Sequence, residues 1–317
     1  MMGQRVICIV GPTASGKTAF SEQLAIALKG EIVSVDAMQV YRGMDIGTAK
    51  TRKEESPCPL HMIDLVSVHE DYSVACFQRD ARACVDEIAQ RGSVPILCGG
   101  TGLYLDAVID EMSFPTGSNR SAARARYEKI VQDEGPLALH RLLDGRDHQS
   151  AALIHPNNVR RVVRALEMLD EGVSYAEHHK GLKSRLPHYD ARIWGINMPR
   201  EQLYSRIEER VEAMFANGLV DEVARLDAQG IRESQTARQA IGYKEVLAYL
   251  DGDLTLEETV QAVMRNTKRY AKRQLSWLRR DGRVQWISVS QIEQGEALEM
   301  ICRDWSNNSD ANVSHAI

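Results

Sequence analysis

The stretch Val6-Ile7-Cys8-Ile9-Val10-Gly11-Pro12-Thr13-Ala14-Ser15-Gly16-Lys17-Thr18 decides the fold, because an apolar run leads directly into a complete P-loop. Phe20, Leu24 and Leu28 continue at helical spacing, so the pattern predicts a strand, a glycine-rich turn and a helix. Such a turn aims backbone N–H groups and the helix dipole at a di- or triphosphate. Lys17 would then contact the terminal phosphates, and Thr18 would bind Mg²⁺.

The composition is that of a soluble globular protein with one or two domains: 317 residues, 44% hydrophobic and 26% charged. No apolar stretch reaches the length of a membrane span and the N-terminus lacks a signal-peptide pattern, so we expect a cytosolic protein. The cysteines form no C-x-x-C pair, which favours buried thiols over disulfides or a zinc site. They are Cys8, Cys58, Cys76, Cys84, Cys98 and Cys302.

The order of predicted elements indicates an α/β fold, a P-loop NTPase-like parallel sheet core with a helical insertion domain. Strands are predicted at 5–10, 31–35, 94–98, 193–196 and 284–287, and core helices at 17–28, 74–91, 200–216, 219–229, 242–250 and 255–280. Strand patterns stop between about 115 and 187, where helices are predicted at 121–134, 136–144 and 156–171. We therefore expect a core of residues 1–115 and 188–290, an insertion of residues 116–187, and a partly disordered tail of residues 291–317.

Candidate chemistry lies after the predicted strands, because ligands of parallel α/β sheets bind beyond the carboxyl ends of the strands. Asp36 follows the strand at 31–35 and suits a general base or a metal-linked carboxylate, with a turn or N-cap aspartate as an equal alternative. Thr101 lies in the glycine-rich turn after strand 94–98 and suits a ligand contact or an ordinary turn position. That strand ends without the aspartate of NTP hydrolases, and Asp64 is a poor substitute, which disfavours an ATPase.

Two predicted helices carry one-sided rows of cations although the net charge is −5. On the helix at 264–280 the row has no acid before Asp281; its members are Arg265, Lys268, Arg269, Lys272, Arg273, Arg279 and Arg280. In the insertion, Arg160, Arg161 and Arg164 lie opposite an apolar stripe. Solvated faces normally mix charges, so these rows favour a large polyanion such as RNA, with ion-paired surface arginines as the alternative.

Several motifs resemble the tRNA dimethylallyltransferases, also called tRNA isopentenyltransferases. They are the P-loop and the segments 36–50, 59–64, 99–104, 238–244 and 272–279, and the similarity covers residues 5 to about 287. That family transfers a dimethylallyl group from dimethylallyl diphosphate to N6 of the adenosine just 3′ of the tRNA anticodon, uses Mg²⁺ and releases diphosphate. The resemblance implies a prenyltransferase whose partner is the tRNA anticodon stem-loop. We expect a monomer with no membrane partner.

The resemblance also assigns roles to residues. Asp36 would be the general base and Thr101 would contact the reacting centre. The diphosphate or nucleotide site would comprise Gly11, Pro12, Thr13, Ala14, Ser15, Gly16, Lys17, Thr18 and, as a weaker candidate, Arg210. The tRNA contacts would be Asp36, Ala37, Met38, Gln39, Arg160, Arg161, Val162, Val163, Arg164, Arg238, Gln239, Gly242, Tyr243, Lys244, Arg269, Lys272, Arg273, Gln274, Trp277, Arg279 and Arg280. Ala37 and Ala240 depart from the family pattern, in which serine and cysteine are common at these positions.

Three other functions stay open at this point. A small-molecule P-loop kinase shares the fold and the lysine, and would release ADP from ATP. A relative with the same chemistry could use free AMP, ADP or ATP as acceptor, although the basic rows argue against it. A third possibility is an RNA-binding module with a vestigial P-loop. Whether ATP binds the P-loop is likewise open.

Overall fold

The computed structural model describes residues 3–114, 121–181, 185–288 and 294–313. The chain divides into two compact units, of which unit 1 comprises Met1–Ile109 and Pro187–Ile317, and unit 2 comprises Asp110–Leu186. The insertion thus begins at Asp110, slightly before the predicted boundary at 116. No helix in the described part of the chain is long and apolar enough to cross a membrane.

Unit 1 is built on a six-stranded parallel sheet with the order β3-β2-β4-β1-β5-β6. The strands are β1 (Arg5–Val10), β2 (Gly30–Val35), β3 (Leu60–His61), β4 (Val94–Gly99), β5 (Asp190–Asn197) and β6 (Gln285–Ser288). The apolar runs of β1, β2 and β4 are buried almost throughout, as expected for strands covered on both faces. The predicted α/β class is confirmed, and only the two-residue β3 escaped the sequence pattern.

The helices surround the sheet in unit 1 and form unit 2. In chain order they are α1 (Lys17–Leu28), α2 (Val74–Gln90), α3 (Gly102–Ile109), α4 (Ala122–Glu134), α5 (Pro136–Arg146), α6 (His148–Leu153), α7 (Val159–Asp170), α8 (Tyr175–Gly181), α9 (Arg200–Ala216), α10 (Leu219–Ala228), α11 (Tyr243–Leu250), α12 (Leu256–Leu278) and α13 (Gln294–Val313). The long periodic helices match their predicted bounds within a few residues. Short α3, α6 and α8 were not predicted, because six to eight residues carry little periodicity.

The core of unit 1 lies on both faces of the sheet, and β1 shows how. Val6, Cys8 and Val10 pack into the layer that contains α2. Ile7 and Ile9 pack into the opposite layer, with α1 and α13. Because successive strand residues point to opposite faces, one apolar run serves both layers. This packing fixes the carboxyl end of β1, and with it the start of the P-loop.

The tail at 291–317, which the sequence predicts to be partly disordered, contains helix α13 over Gln294–Val313. Ala297 and Ile301 are each 1% exposed and pack in the layer with α1. The guanidinium of Arg5 lies 4.1 Å from the centroid of the Trp305 ring. The polar run at 307–312 hid these apolar positions from sequence reasoning. Residues 289–293 and 314–317 lie outside the described residues.

Unit 2 has a hydrophobic core of its own. Tyr127, Leu139, Leu143 and Leu166 are each at most 1% exposed and pack together. Charged groups are satisfied inside the unit as well: the buried Glu167 carboxylate accepts two hydrogen bonds from the Arg124 guanidinium, at 3.2 and 2.9 Å. Unit 2 therefore meets the ordinary requirements of a small folded unit.

Candidate active site

The P-loop runs from the end of β1 to the start of α1, as predicted. Gly16 adopts a left-handed φ of 86°, which side chains disfavour, and a Cβ on Gly11 would lie 2.7 Å from the Ser15 hydroxyl. Ser15 is 2% exposed, and its Oγ has no hydrogen-bond partner among the described residues. Leaving a buried hydroxyl unpaired costs about 1–3 kcal/mol. Its position in the P-loop makes this hydroxyl available to a ligand oxygen.

The P-loop cleft, of about 400 Å³, opens beside this loop and is lined by three cations, Lys17, Arg206 and Arg210. No acid lines it within the described part of the chain. Burial lowers the pKa of the Lys17 and Arg210 side chains, so an anion in the cleft would relieve the cost of holding both charges. Sequence reasoning missed Arg206, although it precedes Arg210 by one helical turn on α9.

The Asp36 cleft, of about 250 Å³, lies after the carboxyl end of β2. Asp36 Oδ1 accepts a hydrogen bond from the Met38 amide at 2.8 Å, and no described residue donates to Oδ2. The turn alternative is therefore confirmed for Oδ1. The role of general base stays a prediction, for which Oδ2 is the available oxygen. Arg210 lines this cleft too, and its guanidinium donates to Thr13 Oγ1 at 3.2 Å. The two clefts meet at Arg210.

The Tyr270 phenol and apolar side chains complete the Asp36 cleft, and Thr101 lies behind Tyr270 without lining the cleft itself. Thr101 Oγ1 lies 3.5 Å from the phenolic oxygen of Tyr270, which lines the cleft from α12. Burial and the negative charge of Asp36 raise the pKa of Tyr270 to about 12, so the phenol keeps its proton at neutral pH. The apolar lining comprises Met38, Val211, Met214, Ile241 and Val263.

The loop at 41–50 forms one wall of the cleft and is fastened by a buried lysine. Lys50 is 8% exposed, and its ammonium donates to the Tyr41 carbonyl at 2.8 Å. It also pairs with Asp45 at 2.8 Å and Asp64 at 2.6 Å. Asp64, the weak sequence candidate for orienting a metal, is therefore a partner of Lys50 in a structural ion-pair network.

A buried carboxylate fastens the same loop from the other side. Glu222 is 1% exposed and accepts hydrogen bonds from the amides of Asp45, Ile46 and Gly47 at 3.1, 2.8 and 3.2 Å. The Tyr243 hydroxyl donates to the same carboxylate at 2.6 Å. A Cβ on Gly47 would overlap the Tyr243 ring, which explains the glycine. Tyr243 is fully buried, so its predicted contact with tRNA is wrong.

A second brace joins α12 to the P-loop. Gln274 is 5% exposed, and its carbonyl oxygen accepts a hydrogen bond from the Thr13 amide at 2.8 Å. A Cβ on Gly100 would overlap the Gln274 amide, so the turn after β4 also packs on it. Gln274 therefore has a structural role in the chain, and its contact with tRNA stays a prediction. Its side chain holds the phosphate-binding loop in place.

Most of the cationic row on α12 forms an exposed surface, the basic face of α12. No ion pair within the described ranges involves its six members. They are Arg265, Arg269, Lys272, Arg273, Arg279 and Arg280. Lys268, the seventh predicted member, pairs with Glu208 on α9, an acid that the sequence pattern of α12 alone could not reveal. In unit 2, Arg160 and Arg161 are likewise exposed without an ion pair to described residues, whereas Arg164 lies 3.8 Å from Glu167.

Four of the other residues predicted to contact RNA lie at or beside the Asp36 cleft. Ala37, Met38 and Gln239 line the Asp36 cleft. The side-chain amide of Gln39 accepts a hydrogen bond from Ser34 Oγ at 2.7 Å and donates one to the Thr48 carbonyl at 3.3 Å. Gln39 therefore helps to position the loop at 41–50, which forms one wall of the Asp36 cleft.

The remaining predicted contacts include two clear errors. Val162 and Val163 are at most 1% exposed in the core of unit 2, so their predicted tRNA contact is wrong. Gly242 is also buried, where it starts α11 with a φ of 94°. The Trp277 indole donates to Asp106 at 3.0 Å while 36% of the residue stays exposed.

Two further cations predicted to contact tRNA, Arg238 and Lys244, already interact with other groups of the chain. Arg238 is half-buried and donates to the Arg232 carbonyl at 3.1 Å. Lys244 is exposed and lies 3.4 Å from the Glu245 carboxylate. Both are therefore weaker candidates for RNA than the cations of the basic face.

Comparison with known proteins gives one consistent result. The family model described as IPP transferase matches residues 39–281, and a second, described as isopentenyl transferase, matches residues 4–57. The chain is 47% identical to the tRNA dimethylallyltransferase of Anoxybacillus flavithermus over 91% of this chain and 92% of that protein. It is 44% identical to the protein of the same name from Bacillus subtilis, over 90% and 91%.

Solved structures agree with the sequence comparisons. The full-length tRNA isopentenylpyrophosphate transferase of Bacillus halodurans is 41% identical, with a TM-score of 0.72 over 98% of this chain and 99% of that chain. A eukaryotic dimethylallyltransferase acting on tRNA is 27% identical, with a TM-score of 0.79 over 96% and 80%. The P-loop NTPase-like fold class predicted from the sequence is thereby confirmed.

Proposed function

The chain belongs to the tRNA dimethylallyltransferase family, and we propose that it transfers a dimethylallyl group from dimethylallyl diphosphate to N6 of the adenosine just 3′ of the anticodon. Membership makes it a prenyltransferase that modifies tRNA. One observation supports the proposed route best: a cation-lined phosphate cleft and a cleft with a free carboxylate oxygen meet at Arg210. That arrangement suits a diphosphate ester and a nucleophile approaching from two sides.

The diphosphate is assigned to the P-loop cleft. Lys17, Arg206 and Arg210 supply positive charge there, and Ser15 supplies a buried hydroxyl without a partner. Charge develops on the diphosphate as the bond to carbon breaks, and preorganised cations stabilise such a leaving group. The phosphate groups are bound but never transferred, so the weak metal-orienting signal after β4 is no obstacle.

The acceptor base is assigned to the Asp36 cleft. An adenine inside a stacked anticodon loop cannot reach a reactive carbon, so the base must be flipped out to enter. Apolar side chains such as Met38 and Met214 suit both the flipped base and the dimethylallyl chain. The Tyr270 phenol and Thr101 hydroxyl supply hydrogen-bonding groups beside them.

The reaction requires one proton acceptor. The N6 nitrogen attacks C1 of the dimethylallyl group, the C1–O bond breaks, diphosphate leaves, and the N6 proton moves to Asp36. The adenine amino group is a weak nucleophile because its lone pair is delocalised into the ring. Proton removal by a positioned base contributes about 10²–10⁴-fold in such reactions. Asp36 Oδ2, which no described residue engages, is the proposed acceptor.

Mg²⁺ usually keeps several water ligands and is bound by one or two protein groups together with substrate phosphates. The P-loop cleft suits such an ion. Thr18 is exposed beside Lys17 in the P-loop cleft and would be its protein ligand. No cluster of three His, Cys, Asp or Glu side chains competes for a metal within the described ranges. When bound, the ion would neutralise charge that develops on the leaving diphosphate.

The tRNA itself is assigned to exposed, unpaired cations. The basic face of α12 offers six, and Arg160 and Arg161 offer two more on unit 2. Neutralising phosphates with such groups gives affinity that falls steeply with salt. Since tRNA is the substrate, we expect the chain to act in the cytoplasm.

Product analysis tests the proposal against its rivals. We expect diphosphate release only when dimethylallyl diphosphate and tRNA are both present, and no ADP from ATP. Replacing tRNA by AMP, ADP or ATP should abolish diphosphate release. Turnover with free nucleotides would support the nucleotide-acceptor alternative, and ADP formation would support a kinase. Binding of tRNA without either product would leave only an RNA-binding module.

A further inference from the structure

A third concave site, the outer groove, lies between the start of α9 and the end of α12 and takes no part in the proposed reaction. Its volume is about 560 Å³. Four cations line it, namely Arg200, Lys272, Arg279 and Arg280. Met198 and Leu203, each at most 6% exposed, contribute to an apolar floor.

The charges of the outer groove are unbalanced. All four cations are exposed, and none makes an ion pair with a residue in the described part of the chain. No acid lines the groove among those residues. Glu208, a nearby acid of α9, is already paired with Lys268. Four like charges around one concavity repel one another, so an anionic ligand is the complement that the groove lacks.

The groove also offers a planar surface, the guanidinium of Arg200, which lines it. The Arg200 guanidinium lies 5.0 Å from the centroid of the Tyr204 ring, and Tyr204 lines the groove. Lys268 Nζ lies 5.3 Å from the same centroid. Nucleobases stack on aromatic rings and on guanidinium planes alike. A phosphate alone or an acidic peptide would use the cations but would leave this surface and the apolar floor unused.

The outer groove is separate from the Asp36 cleft. A helix turns by about 100° per residue, so Arg279 lies about half a turn around α12 from Tyr270. Tyr270 lines the Asp36 cleft, whereas Arg279 lines the groove. The two sites share no lining residue, so a ligand of the groove binds apart from the reacting base.

We propose that the outer groove binds one unstacked nucleotide of the RNA chain, outside the reaction site. The base stacks on the Arg200 guanidinium, which lies over the Tyr204 ring, and the phosphates contact Lys272, Arg279 and Arg280. That the ligand is RNA rests on the proposed function. That the ligand carries both a base and phosphates is inferred from the residues that line the groove. Free nucleotide is the other source of the same chemistry.

The test compares a short unstructured oligoribonucleotide with an abasic oligomer of the same length. Equilibrium binding is measured for the full chain, the double variant Arg200→Ala with Tyr204→Ala, and Tyr204→Trp. We expect the double variant to lose about tenfold in affinity for the oligoribonucleotide, because removing the group on which a base stacks has an effect of about this size. Binding of the abasic oligomer should change far less, and Tyr204→Trp should keep the full preference for bases. Tyr249→Ala, which changes a half-buried tyrosine outside the groove, is the matched control.

Each outcome bears on the proposal. A double variant that keeps the wild-type preference for the base-containing oligomer overturns it, as does an equal loss for both oligomers. Competition by ATP at the wild-type groove, lost in the double variant, would assign the groove to free nucleotide and overturn the RNA assignment. Dimethylallyl transfer to tRNA is measured in parallel with wild-type protein. If wild-type protein transfers the dimethylallyl group and the double variant keeps its preference for the base-containing oligomer, only the groove proposal is refuted. If the double variant loses that preference but wild-type protein shows no transfer, only the proposed function is refuted.

Discussion

The two ends of β2 carry acidic side chains in opposite situations. Glu31, at the amino end, is fully paired: Arg91 donates to its carboxylate at 2.7 and 2.5 Å, and His61 lies at 2.7 Å. Asp36, after the carboxyl end, accepts one backbone hydrogen bond and makes no ion pair with any described residue. Lys17 and Arg210 lie, like Asp36, at the carboxyl edge of the sheet. They too make no ion pair within the described ranges.

This difference separates charge that supports the fold from charge that is kept for a ligand. The Arg91 hydrogen bonds hold the pKa of Glu31 down at about 2, because they favour its ionised form. Leaving buried or half-buried charges unpaired costs stability, and a protein retains that cost where function requires it. Variants at the carboxyl edge should therefore affect reaction rate, and variants at the amino edge should affect stability.

Asp36→Ala should have the largest effect on activity. We expect the rate of transfer to fall by about 10²–10⁴-fold, since the proposed proton acceptor is removed. Affinity for tRNA and the Tm should stay close to wild type, as Asp36 makes a single backbone hydrogen bond. Single-turnover kinetics with prenyl diphosphate and tRNA measure the rate. Unchanged turnover would refute Asp36 as the base.

Lys17→Met should lower transfer by about 10²-fold, because removing one group that stabilises a developing anion has this size of effect. The loss should appear mainly in kcat if Lys17 stabilises the leaving diphosphate more than the bound donor. Arg303→Met is a matched control, since Arg303 is an exposed cation paired with Glu299 on α13. Equal effects of both changes would contradict the assignment of the P-loop cleft.

Gln274→Ala should raise KM for the prenyl diphosphate and lower kcat without removing any group that touches substrate. The Thr13 amide loses its partner, and the P-loop loses a fixed position beside Arg210. Misplacing a site by a fraction of an ångström costs about tenfold or more. Gln274→Glu keeps the acceptor oxygen and should retain most activity. If both variants match wild type in kcat and KM, the brace has no role in positioning.

Arg269→Glu with Lys272→Glu should weaken tRNA binding and flatten its salt dependence. For every tRNA phosphate that the variant no longer neutralises, the slope of log affinity against log salt should fall by about one. The measurement is tRNA affinity across a salt series, with Arg303→Glu as a control outside the basic face. An unaltered slope would show that the exposed cations of α12 do not meet RNA.

Arg91→Ala should have the smallest effect on activity and a clear effect on stability. Glu31 has a lowered pKa in the folded protein, so the pair stabilises the fold above the unfolded pKa near 4.5 and loses that contribution as pH falls towards about 2. The variant should lower the free energy of unfolding at pH 7, and by less at pH 3. Urea unfolding at both pH values measures this. A larger loss at pH 3 would contradict the assignment.

The sequence predicted the sheet, the P-loop and Asp36, because each depends on local pattern: an apolar run, glycines at fixed spacing, an acid after a strand. It could not predict contacts made across the fold. Glu222, Gln274 and Tyr243 looked like ordinary or RNA-facing helix residues, yet they brace the loops of the site. Arg206 becomes significant only because α9 packs beside the P-loop.

Nucleoside mass analysis tests the central claim most directly. Unmodified tRNA is incubated with dimethylallyl diphosphate and Mg²⁺, with wild-type protein or Asp36→Ala, then digested to nucleosides. We predict N6-dimethylallyl adenosine with wild-type protein, at one position next to the anticodon, and a strongly reduced yield with the variant. Absence of the modified nucleoside with folded wild-type protein, or equal yields from both proteins, would contradict the account.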